Sequence, residues 1–169
     1  MGQSLINANK ADFAVNPPRW SGFSVESEPI VITNTDPTQR SAWVSPSVKI
    51  ISENGNLSKY FDYTTNPGSV TYMGPFPIIV EAIGFITQDS NTTGVESRVK
   101  WAKNGAPELD PTRYVYDKLG NQNTGVLLGI SRNFELSYGD YLDFFFGCDT
   151  ITTINMLKSE WKIKTLAIP

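Results

Sequence analysis

Glu81, Glu108, Asp110, Asp140 and Asp143 are the residues best suited to acid–base chemistry in this chain. Two carboxylates flanking a sugar linkage suffice for glycoside hydrolysis. Here the spacing singles out no pair, and Asp140 follows Gly139 in a turn that starts a strand. Histidine is absent altogether. That removes the usual general base, the Ser-His and Cys-His nucleophile pairs and the commonest transition-metal ligand. Cys148 is the only cysteine, so no disulfide can form within the chain. It sits in an aromatic run and reads as a small buried hydrophobe. The expectation is a non-enzymatic protein with no catalytic residue, metal or cofactor.

Oxygen ligands for calcium cluster at Glu108, Asp110, Asp117, Asn121 and Asn123, but Leu119 occupies a ligand position of the calcium-loop pattern. Gly120, Gly125 and Gly129 lack the lysine and the strand-to-helix setting of a phosphate loop. Tyr60, Tyr63, Tyr114 and Tyr116 offer ring faces on which a sugar could stack, and tyrosines equally close the ends of a sandwich core. Asn56 and Asn91 stand in glycosylation sequons, which matter only in a secretory pathway. The net charge is −3, and the first part of the chain offers only the scattered Lys10, Arg19 and Arg40. Binding to nucleic acid needs clustered cations, so no direct nucleic-acid contact is expected. No stretch reads as a secretory signal or a membrane span, and the chain is expected to be made in a cytoplasm without membrane contact.

The elements that would position these residues are strands. Short β-branched and aromatic runs recur between turn residues such as Asn54–Gly55, Asn66–Pro67–Gly68, Asn104–Gly105 and Gly139–Asp140. Strands are predicted at Pro29–Thr33, Ser47–Ile51, Ser69–Met73, Phe76–Gln88, Val95–Lys103, Gly125–Leu136, Tyr141–Cys148, Ile151–Leu157 and Trp161–Ile168. This is the pattern of a two-sheet antiparallel jelly-roll sandwich. Residues 1–45 read differently, because Pro17, Pro18 and Pro37 interrupt a segment that carries Phe13, Trp20, Phe23 and Trp43. They are either an irregular arm that docks on a neighbour or a segment that wraps its own sandwich. Residues 46–169 would form the jelly roll.

Two strands are apolar on both faces. In Phe76–Ile86 one face holds Phe76, Ile78, Val80, Ala82, Gly84 and Ile86, and the other holds Pro77, Ile79, Glu81, Ile83 and Phe85. In Tyr141–Phe146, Phe145 faces opposite to Phe144 and Phe146. One face of each fills the core. The other is expected at a subunit interface, with cover by the arm or a loop as the alternative. The interface candidates are Ile79, Ile83, Phe85, Tyr141, Phe144 and Phe146.

From residue 61 onward the landmarks occur in a characteristic order. They are Val70-Thr71-Tyr72-Met73-Gly74 before a long apolar strand, then Lys103-Asn104-Gly105, then Gly139-Asp140-Tyr141 before the last strands. This order resembles the complement globular-head and tumour-necrosis-factor-like jelly rolls, and among them bacteriophage virion proteins. The resemblance implies a homotrimer located in the virion, acting as a capsid decoration or cement protein with the major capsid protein as partner. Phe13, Trp20, Phe23 and Trp43 would then dock on the capsid. The alternative is a trimeric receptor- or glycan-binding module of a tail or spike, with Tyr114 and Tyr116 at the sugar.

Overall fold

The period-two alternation resolves into two antiparallel sheets in the computed structural model, which describes residues 20–27, 29–45, 48–54, 58–64, 69–107, 114–119 and 125–168. The larger sheet holds β1 (Trp20–Ser27), β2 (Ile30–Ile32), β3 (Val48–Asn54), β6 (Ile78–Ser90), β9 (Val126–Leu136) and β11 (Thr152–Ala167). Its order is β3-β1-β11-β6-β9, with β2 also paired to β11. The smaller sheet holds β4 (Phe61–Asp62), β5 (Ser69–Tyr72), β7 (Glu96–Lys103), β8 (Val115–Lys118) and β10 (Tyr141–Cys148), in the order β4-β5-β10-β7-β8. The fold is the expected all-β, two-sheet jelly roll. No helix among the described residues is long and apolar enough to cross a membrane.

Three features depart from the sequence reading. First, β1 lies inside the larger sheet, with Trp20–Val25 paired to β11 and Gly22–Ser27 paired to β3. A boundary at residue 45 therefore cuts through the sandwich. Gly22, Ser24 and Pro29 mask the strand in the sequence, although Pro29 only separates β1 from β2 on one edge of β11. Second, the two strands expected at 151–157 and 161–168 are one. A register shift between Met156 and Lys158 moves the inward set from Ile154 to Ser159, Trp161 and Ile163. Such a bulge reverses the alternation without ending the strand. Third, β8 pairs with β7 at the edge of the smaller sheet, where no strand was expected.

Between the sheets lies an aromatic cluster. Phe144 stands edge-on to Trp101 at 4.6 Å between centroids and stacks on Trp161 at 5.9 Å, while Trp101 and Trp161 are 5.2 Å apart. Gly84 of β6 makes room for it, because a Cβ there would lie 2.7 Å from Phe144 Cε2. Phe146, Leu142 and Cys148 continue the same face of β10 into the core. Burial pushes the Cys148 thiol up to about 12, so it stays protonated and unreactive at neutral pH.

Candidate interaction surfaces

The three sequence landmarks meet at one corner. Lys103-Asn104-Gly105-Ala106 is a two-residue hairpin turn with φ of 55° at Asn104 and 66° at Gly105, the mirror-image geometry that Asn-Gly accepts. The Asn104 side-chain oxygen accepts from the Tyr141 N–H at 2.9 Å, and its amide donates to Asp140 Oδ1 at 2.8 Å. Asp140 Oδ2 accepts from the Ser137 N–H at 2.8 Å and pairs with Lys103 Nζ at 2.7 Å. The Asp140 carbonyl accepts from the Tyr72 N–H at 2.8 Å. Burial raises the Asp140 carboxyl, but the bonds from Asn104, Lys103 and Ser137 outweigh it and hold the group below its ordinary value. These residues tie β5, the β7 turn and β10 together. Asp140 is a structural acid with its acceptors in use.

A strap of residues 34–45 covers the outer face of the smaller sheet. Val44 exchanges backbone hydrogen bonds with Phe146 at 2.8 and 2.9 Å. Just before it, Ala42 and Trp43 pack with Ala102, Phe145 and Tyr114 in a second apolar cluster. The Trp43 indole N–H donates to the Pro37 carbonyl at 3.0 Å. Lys100 is fully buried beneath it, with Nζ 3.3 Å from the Trp43 ring centroid. Arg40 lies over the Phe145 ring at 4.5 Å and donates to the Trp43 carbonyl at 2.7 Å. The strap is thus sealed by apolar packing, two cation–π contacts and main-chain bonds.

Asp143 sits beside the strap and is only 6% exposed. Burial pushes its carboxyl up to about 6, opposed by a hydrogen bond from the Gly105 N–H and by the Arg40 guanidinium. A raised carboxyl means that the folded chain holds this proton to higher pH than the unfolded chain does. Stability therefore falls as pH rises from about 4 to about 6, and the cost of ionised Asp143 is fully present above that window. Asp143→Asn is expected to stabilise the fold by about 1–2 kcal/mol at pH 7.5, with the gain vanishing near pH 4. Urea unfolding at both pH values checks this. A variant less stable than the parent at pH 7.5 would contradict it.

The outer face of the larger sheet has no such cover among the described residues. On β6 it presents Ile79, Glu81, Ile83, Phe85 and Thr87. Phe85 is 47% exposed and its ring lies over Gly129, where a Cβ would be 3.5 Å away. Leu127, 65% exposed, is opposite Thr87, and Leu157, 53% exposed, bulges out beside it over Gly125. Phe85, Leu127 and Leu157 form a contiguous apolar patch beside Ile83. Isolated exposed hydrophobes are ordinary, but a cluster on one flat face is an interaction signal.

The six interface candidates fall on three different surfaces. Ile79, Ile83 and Phe85 share the open outer face of β6. Tyr141 is half-buried at the corner, with its hydroxyl over the Gly105 turn. Phe144 and Phe146 are buried between the sheets, so their assignment to an interface is corrected: they are core. Phe145 takes the opposite face of β10, and the strap covers it. Leu127 and Leu157 were missed, because Val126-Leu127-Leu128 hides the alternation and a bulge sets the direction of Leu157.

Among the four capsid-docking candidates, Phe23 is core, edge-on to Phe61 at 6.2 Å, and Trp43 is buried in the strap. Both are corrected, since their rings are spent inside their own chain. Trp20 belongs to β1, opposite Lys164, and Phe13 lies outside the described residues. Tyr116 is exposed on β8, whereas Tyr114 packs against Trp43 at 5.4 Å. Of the calcium candidates, Glu108, Asp110, Asn121 and Asn123 lie outside the described residues. No group of three or more His, Cys, Asp or Glu among the described residues could hold a metal ion.

No family model matches the chain, and no curated protein does. Several solved structures resemble it in chain path. Murine APRIL shares 10% identity over 86% of this chain and 99% of its own, with a TM-score of 0.49. The globular domain of zebrafish complement 1qA shares 10% over 88% and 98%, again at 0.49. The vertex protein P5 of PRD1 shares 9% over 88% and 97%, also at 0.49. The fold assignment rests on the strand order itself.

Proposed function

We propose that this protein is a non-enzymatic structural virion component, a capsid decoration or cement protein that self-associates as a trimer and binds across neighbouring major capsid subunits. The observation that carries self-association is the open outer face of the larger sheet, with Phe85, Leu127 and Leu157 clustered beside Ile79 and Ile83. Burying such a face between copies removes apolar area from water at roughly 25 cal/mol per Å². The virion role and the trimeric state follow the order of sequence landmarks, which the fold gathers at one corner. The chemically suggestive groups have structural work: Asp140 ties the corner, Asp143 lies beside the strap and Cys148 is core. A partner bound only to the assembled shell would stabilise it by mass action.

Sedimentation tests self-association. The parent chain is expected to run as a trimer at micromolar concentration, and Phe85→Glu as a folded monomer with an unchanged far-UV spectrum. A strictly monomeric parent, or a trimeric variant, would refute it. For capsid binding, deletion through residue 45 is unsuitable because it removes β1, β2 and the strap. Residues 1–19, which include Phe13, are the segment to delete. The truncated chain is expected to stay trimeric and to lose co-sedimentation with particles of the virus that encodes it. Particles that contain none of the intact protein would end the cement reading.

A second reading, a glycan-binding module, is favoured by the exposed Tyr116 ring 6.2 Å from Tyr114. A glycan-array signal that Tyr116→Ala abolishes would support it.

A further inference from the structure

We propose that Lys164 of one copy pairs with Glu81 of the next across the outer face of the larger sheet, and that this contact sets the register of self-association. The inference rests on the self-association reading above. Glu81 is the one charge among the outward residues of β6 from Ile79 to Thr87, set between Ile79 and Ile83 and already half-buried in the single chain. Ser131 Oγ on β9 donates to its Oε1 at 2.7 Å. A second copy laid on this face would bury Glu81, and a carboxylate buried without a counter-charge is costly.

The cation that fits is on the same face. Lys164 of β11 stands directly opposite Glu81 in the β6–β11 register and is exposed. Cross-strand neighbours at this spacing can pair within one sheet. Here Glu81 turns instead to Ser131 on the other side, and Lys164 has no ion-pair partner among the described residues. The other charges of the β11 row are engaged: Lys158 pairs with Glu160 at 2.9 Å, and Lys162 has a contact of its own. Glu81 and Lys164 thus remain without an ion-pair partner among the described residues, with the exposed Glu135 of β9 farther along the same face, opposite Ile79. Three copies arranged with this pair beside the threefold axis would satisfy both groups, each Lys164 meeting the Glu81 of the next copy around the ring. The apolar patch supplies non-directional attraction, whereas a buried charge pair discriminates between registers.

Charge exchange tests this by sedimentation of the full chain. Glu81→Lys and Lys164→Glu each place like charges at the contact and are expected to weaken assembly by roughly tenfold or more. The double variant is expected to restore it. Mixing the two single variants is expected to restore part of it, because the pair forms between chains. Far-UV spectra and melting curves confirm that each variant is folded. Rescue by the double variant without rescue on mixing would place the pair inside one chain and overturn the proposal. Single variants that assemble like the parent would overturn it too, while leaving self-association intact. A monomeric parent would instead defeat the self-association reading beneath it.

Discussion

Phe144→Ala is expected to lower the unfolding free energy by about 3–5 kcal/mol, the usual cost of removing a buried ring from a packed core. At this chain length that corresponds to a fall in melting temperature of roughly 10 °C. The ring contacts Trp101 and Trp161 on opposite sheets, so its loss opens a void where the sheets meet. Gly84 provides an internal check. Gly84→Ala alone is expected to destabilise, since its Cβ would meet Phe144 Cε2 at 2.7 Å. Combined with Phe144→Ala, the same methyl group enters the void, and the double variant is expected to be more stable than Phe144→Ala alone. The coupling energy of this cycle, measured by urea unfolding, reports the contact. If Phe144 lay at a subunit interface, the single chain would lose no stability and only assembly would suffer.

Trp43→Ala is expected to cost about 3 kcal/mol, near the lower end for a buried tryptophan because the strap lies close to water and can settle. The ring covers Lys100, packs with Ala102 and Phe145, and anchors the strap through its N–H to Pro37. Losing it exposes Phe145 and removes a cation–π contact worth about 1 kcal/mol. Cleavage within residues 34–45 by a protease is expected to speed up, since local opening of the strap becomes easier. If Trp43 instead served a docking arm, the free protein would keep both its stability and its protease resistance. Equal urea midpoints for variant and parent would therefore reject the sealed strap.

Residue types and their spacing were enough to show an all-β chain without histidine-based chemistry. Tyr141–Cys148 was legible to the residue as a strand, because four of its eight residues are aromatic and a turn stands on either side. The turns at Asn104–Gly105 and Gly139 were legible because few residues accept positive φ. The inner face of β6 was equally plain, since Ile78, Val80, Ala82 and Ile86 recur at period two. Local chemistry carries such features, so the sequence alone decided them.

What lies against each face was decided elsewhere. Alternation divides a strand into two faces but does not say what covers either one. On β10 both faces are apolar, and only the third dimension makes Phe144 core and puts Phe145 under Trp43. On β6 the same two-sided pattern leaves Phe85 half-exposed, because no described strap crosses the larger sheet. β1 was hidden because its place depends on pairing with β11, more than a hundred residues away in the chain. The bulge at Leu157 likewise depends on the partner strand, which keeps its own register while β11 gains a residue. Pairing and cover are long-range relations, and for this protein they separate the buried aromatics from the face that a second copy would meet.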